Sequence, residues 1–168
     1  MVDFNQSLTV AEAVRRGRVL DGEGVAWIEE PVRAADFRGA AEVAAALSTP
    51  VQIGENLAGP FEMEEAIRLR ASDLVMPDVQ QMGGVTGWLR AAALAHAAGV
   101  PCSSHLFIEA SAHLLAVTPT CHWIEYLDMA GPIVAEPLRP VDGTLCAPSR
   151  PGLGLAWDEA AVRRYLVS

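Results

Sequence analysis

The sequence predicts an α/β fold, a partial TIM-type (β/α) barrel of about six parallel strands with flanking helices and a C-terminal tail. Short apolar runs alternate regularly with amphipathic stretches along the 168 residues. Strand, helix and strand at this spacing indicate βα units and a parallel sheet. A full barrel takes roughly 250 residues, so this length accommodates six units and a tail.

The predicted elements follow in chain order. The apolar runs predict strands at residues 2–4, 25–28, 51–53, 74–76, 100–103 and 122–124. The amphipathic stretches predict helices at residues 9–20, 37–47, 62–70, 85–98 and 108–117. Thr9 and Glu12 fit a capping box, and Gly22 and Gly99 stand where helix-ending glycines belong. We expect the barrel portion to occupy residues 1–130, and a C-terminal segment with a short helix near 158–165 to occupy 131–168.

Composition limits the classes of partner. The net charge is −9 with 51% hydrophobic residues, and the basic residues are all Arg, without a single Lys. The acidic balance and the lack of an Arg-rich run argue against nucleic-acid and acidic-membrane surfaces. No segment has the length of a membrane span and the start has no leader pattern, so we expect a cytoplasmic protein. Three widely spaced cysteines are expected to be buried free thiols: Cys102, Cys121 and Cys146.

A residue able to do chemistry closes or closely follows each apolar run. The six are Asp3, Glu29, Glu55, Asp78, His105 and Glu125. In a parallel barrel the carboxyl ends of the strands converge on one mouth, where such folds place their sites. Any one of the acidic residues alone is more often a loop residue or a helix cap than a functional residue. Six at matching places predict one shared pocket.

Carboxylates on three adjacent strands indicate a cation site. Asp3, Glu29 and Glu55, if about 4 Å apart, would repel by roughly 4 kcal/mol per pair at an effective dielectric constant near 20. They would therefore become protonated or bind a cation. All-oxygen ligation favours Mg²⁺ over Zn²⁺, with Mn²⁺ as an alternative. Strand alternation alone allows either Glu29 or its neighbour Glu30 to face inward.

The next two units predict an acid–base pair. Asp78 can orient and charge-stabilise the His105 imidazole, which makes His105 the candidate general base. Glu125 follows the apolar pair Trp123 and Ile124, where desolvation would favour a protonated carboxyl able to donate to a developing enolate oxygen. Metal and acid together suit proton abstraction next to a carboxylate.

Other motifs are less informative. No two of the four histidines stand at the spacing of a helical zinc site. The segment of residues 103–105 reads Ser-Ser-His but lacks the elbow and oxyanion motifs of a hydrolase. The glycine-rich segment 83–87 lacks the phosphate-loop lysine and is interpreted as a strand-to-helix turn.

The sequence resembles the mandelate racemase branch of the enolase superfamily. It is also similar to the muconate lactonizing enzymes. The segments that carry the resemblance are VDFNQSL, WIEEP, PVQIGEN, LVMPD, GGVTGW, SSHLF, HWIEYLD and PGLGLAW. The resemblance implies Mg²⁺ ligands at Asp3, Glu29 and Glu55, and it selects Glu29 over Glu30. It also implies a His105–Asp78 base dyad and Glu125 as the electrophilic acid.

The resemblance further implies substrate contacts and an activity. Asn5 matches a position near substrate and metal. Leu106 and Leu127 are candidate apolar substrate contacts only because they lie beside the predicted catalytic residues, and ordinary core packing is the more common role of such residues. The expected reaction is Mg²⁺-dependent removal of the proton α to the carboxylate of a 2-hydroxycarboxylate, of the racemase type in the complete relative. An acid-sugar dehydratase and a non-catalytic fragment that only binds metal are the alternatives.

The chain also departs from the family it resembles. Such relatives carry a lid domain and two earlier strands, the second with a Lys-x-Lys pair that supplies the opposite-face base. The absence of Lys predicts that this chain alone does not racemise efficiently, and we expect truncation. An open sheet leaves two strand edges unpaired, so a homo-oligomer or a complementing chain is expected.

Overall fold

A single sheet of six parallel strands forms the centre of the computed structural model, which describes residues 1–167. The strands are β1 (Val2–Asp3), β2 (Ile28–Glu29), β3 (Val51–Ile53), β4 (Leu74–Val75), β5 (Cys102–Ser104) and β6 (Cys121–Ile124). They lie side by side in chain order, and every neighbouring pair is parallel. This order confirms the predicted section of a (β/α) barrel.

Five helices connect the successive strands and a sixth ends the fold. They are α1 (Val10–Leu20), α2 (Phe37–Ala46), α3 (Pro60–Leu69), α4 (Val85–Ala98), α5 (Ile108–Ala116) and α6 (Glu159–Arg164). The predicted terminal helix is confirmed, with Asp158 as its cap through bonds from the Ala160 and Ala161 backbone N–H groups. No helix among residues 1–167 is long and apolar enough to cross a membrane.

Several predicted element ends are displaced by local hydrogen bonding. The run at 25–28 is strand only from Ile28, where pairing with β1 and β3 begins. β5 starts at Cys102 rather than at residue 100, because the Val100 N–H bonds back to the Ala95 carbonyl and completes the end of α4. α3 starts at Pro60, two residues early, since proline suits a first helical position.

The capping predictions are confirmed only in part. Thr9 accepts from the Glu12 N–H at 3.3 Å, but the Glu12 carboxylate pairs with Arg15 and Arg16, so half of the capping box forms. Gly99 ends α4 in the left-handed conformation with φ 69°. The prediction for Gly22 was wrong, because α1 ends at Asp21 in a right-handed conformation. The glycine-rich segment 83–87 does form the turn into α4, which Gly84 caps.

Apolar side chains between the helices and the sheet make the core. Val43, Val51, Met63, Val75 and Trp88 are each 0% exposed. They come from α2, β3, α3, β4 and α4, so the core fixes the middle strands against their covering helices. Burying a side chain of this size contributes about 1.5–3 kcal/mol. The strand ends that carry the predicted site therefore stand on a rigid support.

The two outer strands of the sheet are less covered. β1 pairs only with β2, and β6 only with β5. Cys121 on β6 is exposed and Trp123 is 56% exposed. The prediction of three buried thiols holds for Cys102 alone, since Cys121 lies on this edge and Cys146 on the exposed C-terminal segment.

Candidate active site

The predicted site residues all lie at one end of the sheet. Asp3 and Glu29 are the last residues of β1 and β2, and Glu55 follows β3 by two residues. Asp78 and His105 form a bridge between the chain ends that follow β4 and β5. Glu125 comes directly after β6. Because all six strands are parallel, their carboxyl ends share one rim, and this placement matches the sequence prediction.

Asp78 and His105 form a directly bonded pair. The His105 Nδ1 atom lies 2.7 Å from Asp78 Oδ2, and Asp78 is 3% exposed. A carboxylate only accepts, so Nδ1 carries the proton of this bond, and in the neutral ring Nε2 has the lone pair. Asp78 Oδ1 also accepts from the Gln80 and Gln81 N–H groups at 2.7 and 3.2 Å. Asp78 therefore orients the imidazole and also closes the turn that follows it, but it is not the cap of α4, which begins after Gly84.

The free nitrogen of His105 faces two carboxylates. Nε2 lies 3.6 Å from Glu55 Oε2 and 4.0 Å from Glu125 Oε2. Neither distance is a hydrogen bond. The His105 side chain is 20% exposed, so its lone pair opens onto the rim. A base with an oriented ring, an available lone pair and acidic neighbours suits proton removal from a small molecule.

Glu55 is the most strongly perturbed carboxyl of the rim. Its side chain is 14% exposed, and burial, followed by the charge of Glu30, raises its pKa to about 7. Asn56 Nδ2 donates to Glu55 Oε1 at 3.1 Å. Burial likewise raises the pKa values of Glu29 and Glu30. The rim thus concentrates negative charge that a cation would stabilise.

The pKa of Glu55 predicts a pH dependence of stability in the metal-free chain. A carboxyl with a folded-state pKa near 7 and a lower unfolded value binds its proton more tightly when folded. Its contribution to stability is therefore present at low pH and is lost as pH rises through 7. We expect the melting temperature in EDTA to fall between about pH 5.5 and pH 8 by less in Glu55→Gln than in wild type. An equal fall in both proteins would contradict this.

Glu29 and Glu30 are both buried, a situation that strand alternation left open. They are 4% and 1% exposed, and Glu30, which follows the last residue of β2, has a left-handed φ of 37°. Glu30 accepts from Asn56 Nδ2 at 3.0 and 2.9 Å. Glu29 instead lines a cavity of about 310 Å³ inside the curve of the sheet. The choice of Glu29 as the ligand stays a prediction.

The donor set of the rim fits a hard cation by its chemistry. Asp3, Glu29 and Glu55 offer oxygen ligands only, and the charges of Asp3 and Glu29 contribute to the raised pKa of Glu55. Within residues 1–167, however, no three His, Cys, Asp or Glu side chains converge tightly enough to hold one ion in this conformation. Asp3 Oδ1 accepts from the Asn5 N–H at 2.7 Å instead. Bringing these carboxylates closer together would increase their mutual repulsion unless a bound cation or a proton compensated it.

Glu125 differs from its prediction. Its side chain is 42% exposed, and it directly follows β6, an outer strand of the sheet. The expected desolvation is therefore absent. Glu125 is held instead by the Leu106 N–H, which donates to Oε2 at 2.9 Å. Leu106 places its backbone at the site with a left-handed φ of 47°, whereas Leu127 is 51% exposed.

Residues that were not singled out from the sequence also line the site. Gln52 is 1% exposed on β3 and Ser103 is 3% exposed on β5. Gln52 and Trp27 both donate to Glu29 Oε2 at 2.9 Å. A glutamine inside the apolar run of β3 was the available signal, since a buried amide needs partners.

A larger cleft of about 690 Å³ lies at the opposite end of the sheet, beside residues 98–100 and the chain leading into β4. None of the six rim residues lines it. In folds of this kind that end serves stability rather than chemistry, so the rim remains the candidate site.

Comparison with known proteins gives a consistent result. A family model described as enolase C-terminal domain-like matches residues 1–161. The chain is 38% identical to the L-talarate/galactarate dehydratase of Salmonella typhimurium, over 97% of this chain and 41% of the relative. It is 34% identical to the 3,6-anhydro-alpha-L-galactonate cycloisomerase of Streptomyces coelicolor, over 99% of this chain and 46% of the relative.

A solved structure from Bradyrhizobium, an enolase complexed with magnesium and mandelic acid, superposes with a TM-score of 0.94. It shares 51% identity, over 99% of this chain and 46% of that chain. The chain thus spans less than half the length of the relatives it matches.

Proposed function

Because the chain belongs to the enolase C-terminal domain-like family, we propose that its site removes the proton from the carbon next to a carboxylate, with Mg²⁺ bound and His105 as the base. The observation that carries this proposal is the 2.7 Å hydrogen bond from His105 Nδ1 to Asp78 Oδ2. It leaves Nε2 free at a rim of carboxylates. Relatives of the family include dehydratases and cycloisomerases.

Three carboxylates would hold the cation: Asp3, Glu29 and Glu55. When bound, Mg²⁺ would supply positive charge that holds a substrate carboxylate and stabilises the negative charge that develops on it. The Bradyrhizobium relative contains magnesium together with mandelic acid. That pairing supports a 2-hydroxycarboxylate as the substrate class.

His105 would accept the proton on Nε2, and the Asp78 carboxylate would stabilise the imidazolium that forms. Glu125, anchored by the Leu106 N–H, would donate to the developing enolate oxygen. Asn5, Leu106 and Leu127 are the proposed substrate contacts. The described residues place one candidate base on this rim, which favours exchange or elimination over two-base racemisation.

The dehydratase relative supports an acid sugar as the second substrate class. In that case the same proton abstraction would be followed by loss of a hydroxyl group. Incubation of the chain in D₂O with Mg²⁺ and either mandelate or galactarate, followed by mass spectrometry, separates these outcomes. Deuterium incorporation supports the 2-hydroxyacid reaction, and loss of one water supports dehydration. If a sample that binds Mg²⁺ shows neither deuterium incorporation nor loss of water, the proposed reaction is refuted and only metal binding remains.

The open edges of the sheet support a proposal on assembly. β1 and β6 each lack a strand neighbour on one side among residues 1–167, and exposed edges pair with other chains. We propose that a second copy or a complementing chain covers them. Light scattering after size exclusion should give a mass above the 17.9 kDa of one chain. A strictly monomeric, folded sample would contradict self-association.

A further inference from the structure

A line of hydrogen bonds runs across the inner face of the sheet to Glu29, and its members Gln52 and Ser103 are buried. Gln52 Nε2 donates to Glu29 Oε2 at 2.9 Å, and Ser103 Oγ donates to Gln52 Oε1 at 3.3 Å. Ser103 Oγ also lies 3.3 Å from His122 Nδ1. The line therefore connects β6, β5, β3 and β2 through side chains alone.

The direction of every bond in this line follows from its carboxylate end. Glu29 only accepts, so the amide nitrogen of Gln52 faces it and the amide oxygen faces Ser103. Ser103 therefore donates its single hydroxyl proton to Gln52 Oε1. The Trp123 N–H already donates to Ser103 Oγ at 3.3 Å, and His122 Nδ1 must donate as well. Burial lowers the pKa of His122, which agrees with a neutral ring carrying its proton on Nδ1.

All donors of the line consequently point toward Glu29, and they converge on one of its two oxygens. Trp27 Nε1 donates to the same Oε2 atom at 2.9 Å. Oε1 accepts no hydrogen bond from any residue that the structure describes. One oxygen is thus held by two N–H groups, and the other keeps its lone pairs for a different partner.

We propose that Gln52 is a positioning residue: oriented by Ser103, it fixes the Glu29 carboxylate so that Oε1 alone is presented to the cation. This inference rests on the proposed metal site. A fixed, single-oxygen ligand raises metal affinity because the carboxylate does not have to be ordered on binding. Gln52 itself does not touch the cation or the substrate.

The test measures Mg²⁺ affinity of the folded chain by calorimetry, with circular dichroism in EDTA reporting the folded fraction and melting temperature. Gln52→Met keeps the volume and removes the amide's three hydrogen bonds, to Glu29, Met76 and Ser103, and we expect its Kd to rise roughly 10–100-fold. Ser103→Ala frees the amide of Gln52 to turn, so its Kd should rise in the same direction by less.

Ser104→Ala is the matched control. Ser104 is the next residue on β5 and is 0% exposed, and its hydroxyl has no hydrogen-bond partner among residues 1–167. Its Kd should equal that of wild type. A purely structural role for the line would lower the melting temperatures of Gln52→Met and Ser103→Ala and leave their Kd values at the wild-type level, which would overturn the inference.

Failure of the proposed metal site can be distinguished from failure of the proposed role of Gln52. If Glu29→Gln binds Mg²⁺ as well as wild type does, or if wild type takes up none, both the ligand assignment and the role of Gln52 are refuted. If Glu29→Gln weakens binding and Gln52→Met does not, only the role of Gln52 is refuted. If Gln52→Met does not fold, the comparison of Ser103→Ala with Ser104→Ala decides, and equal Kd values there count against the inference.

Discussion

Replacement of His105 by asparagine is expected to lower Mg²⁺-dependent α-proton exchange by about 10²–10⁴-fold, the usual contribution of a positioned general base. Asparagine can still bond to Asp78, but it offers no nitrogen lone pair at the position of Nε2. The binding of Mg²⁺ should change little, because His105 is not one of the proposed ligands. The measurement is deuterium incorporation per hour by mass spectrometry at saturating Mg²⁺.

His96→Asn is the control for this substitution, since His96 is an exposed residue near the end of α4. Its exchange rate should match that of wild type. Asp78→Asn should also slow exchange, because a neutral amide no longer stabilises the imidazolium. Equal exchange by His105→Asn and wild type would remove His105 from the mechanism.

Replacement of Gly54 by alanine is expected to destabilise the chain by about 2–5 kcal/mol, by combining an unfavourable backbone conformation with overpacking. Gly54 has φ 147°, and an added Cβ would lie 2.7 Å from the Met76 backbone nitrogen. The obstacle is backbone of the chain after β4, which cannot rotate away. Glu55 is the next residue, so Mg²⁺ binding should weaken as well. Urea unfolding in EDTA gives the free energy.

Gly99→Ala separates the two causes. Gly99 also has a positive φ of 69°, but nothing lies within 4 Å of an added Cβ. Its cost should be about 1–2 kcal/mol, the conformational term alone. Equal losses at both positions would show that the contact with Met76 contributes nothing.

The alternation of apolar runs and amphipathic stretches was sufficient to predict the architecture, because each βα unit repeats the same local pattern. The apolar run at residues 51–53 and the helix at 85–98 were placed at their observed bounds. β2 was misplaced because the apolar residues before Ile28 satisfy the strand pattern without pairing. Pairing depends on neighbouring strands, and a local pattern does not contain that information.

The sequence predicted which residues lie together at the rim, but it did not predict the hydrogen bonds among them. Spacing alone brought Asp78 and His105 together, and the 2.7 Å bond confirms that placement. The exposure of Glu125 was missed because a local apolar pattern does not show that β6 lies at the edge of the sheet. Gln52 and Ser103 were missed because their roles come from contacts across four strands.

We propose that the carboxylates of this rim form a Mg²⁺ site beside His105. Calorimetric titration of the chain with Mg²⁺ tests this directly, with Glu55→Gln compared against Glu65→Gln, a half-buried glutamate paired with Arg68 on α3. We expect uptake by wild type, the same Kd in Glu65→Gln and a Kd more than about tenfold higher in Glu55→Gln. No uptake by wild type, or equal affinity in Glu55→Gln, would contradict it.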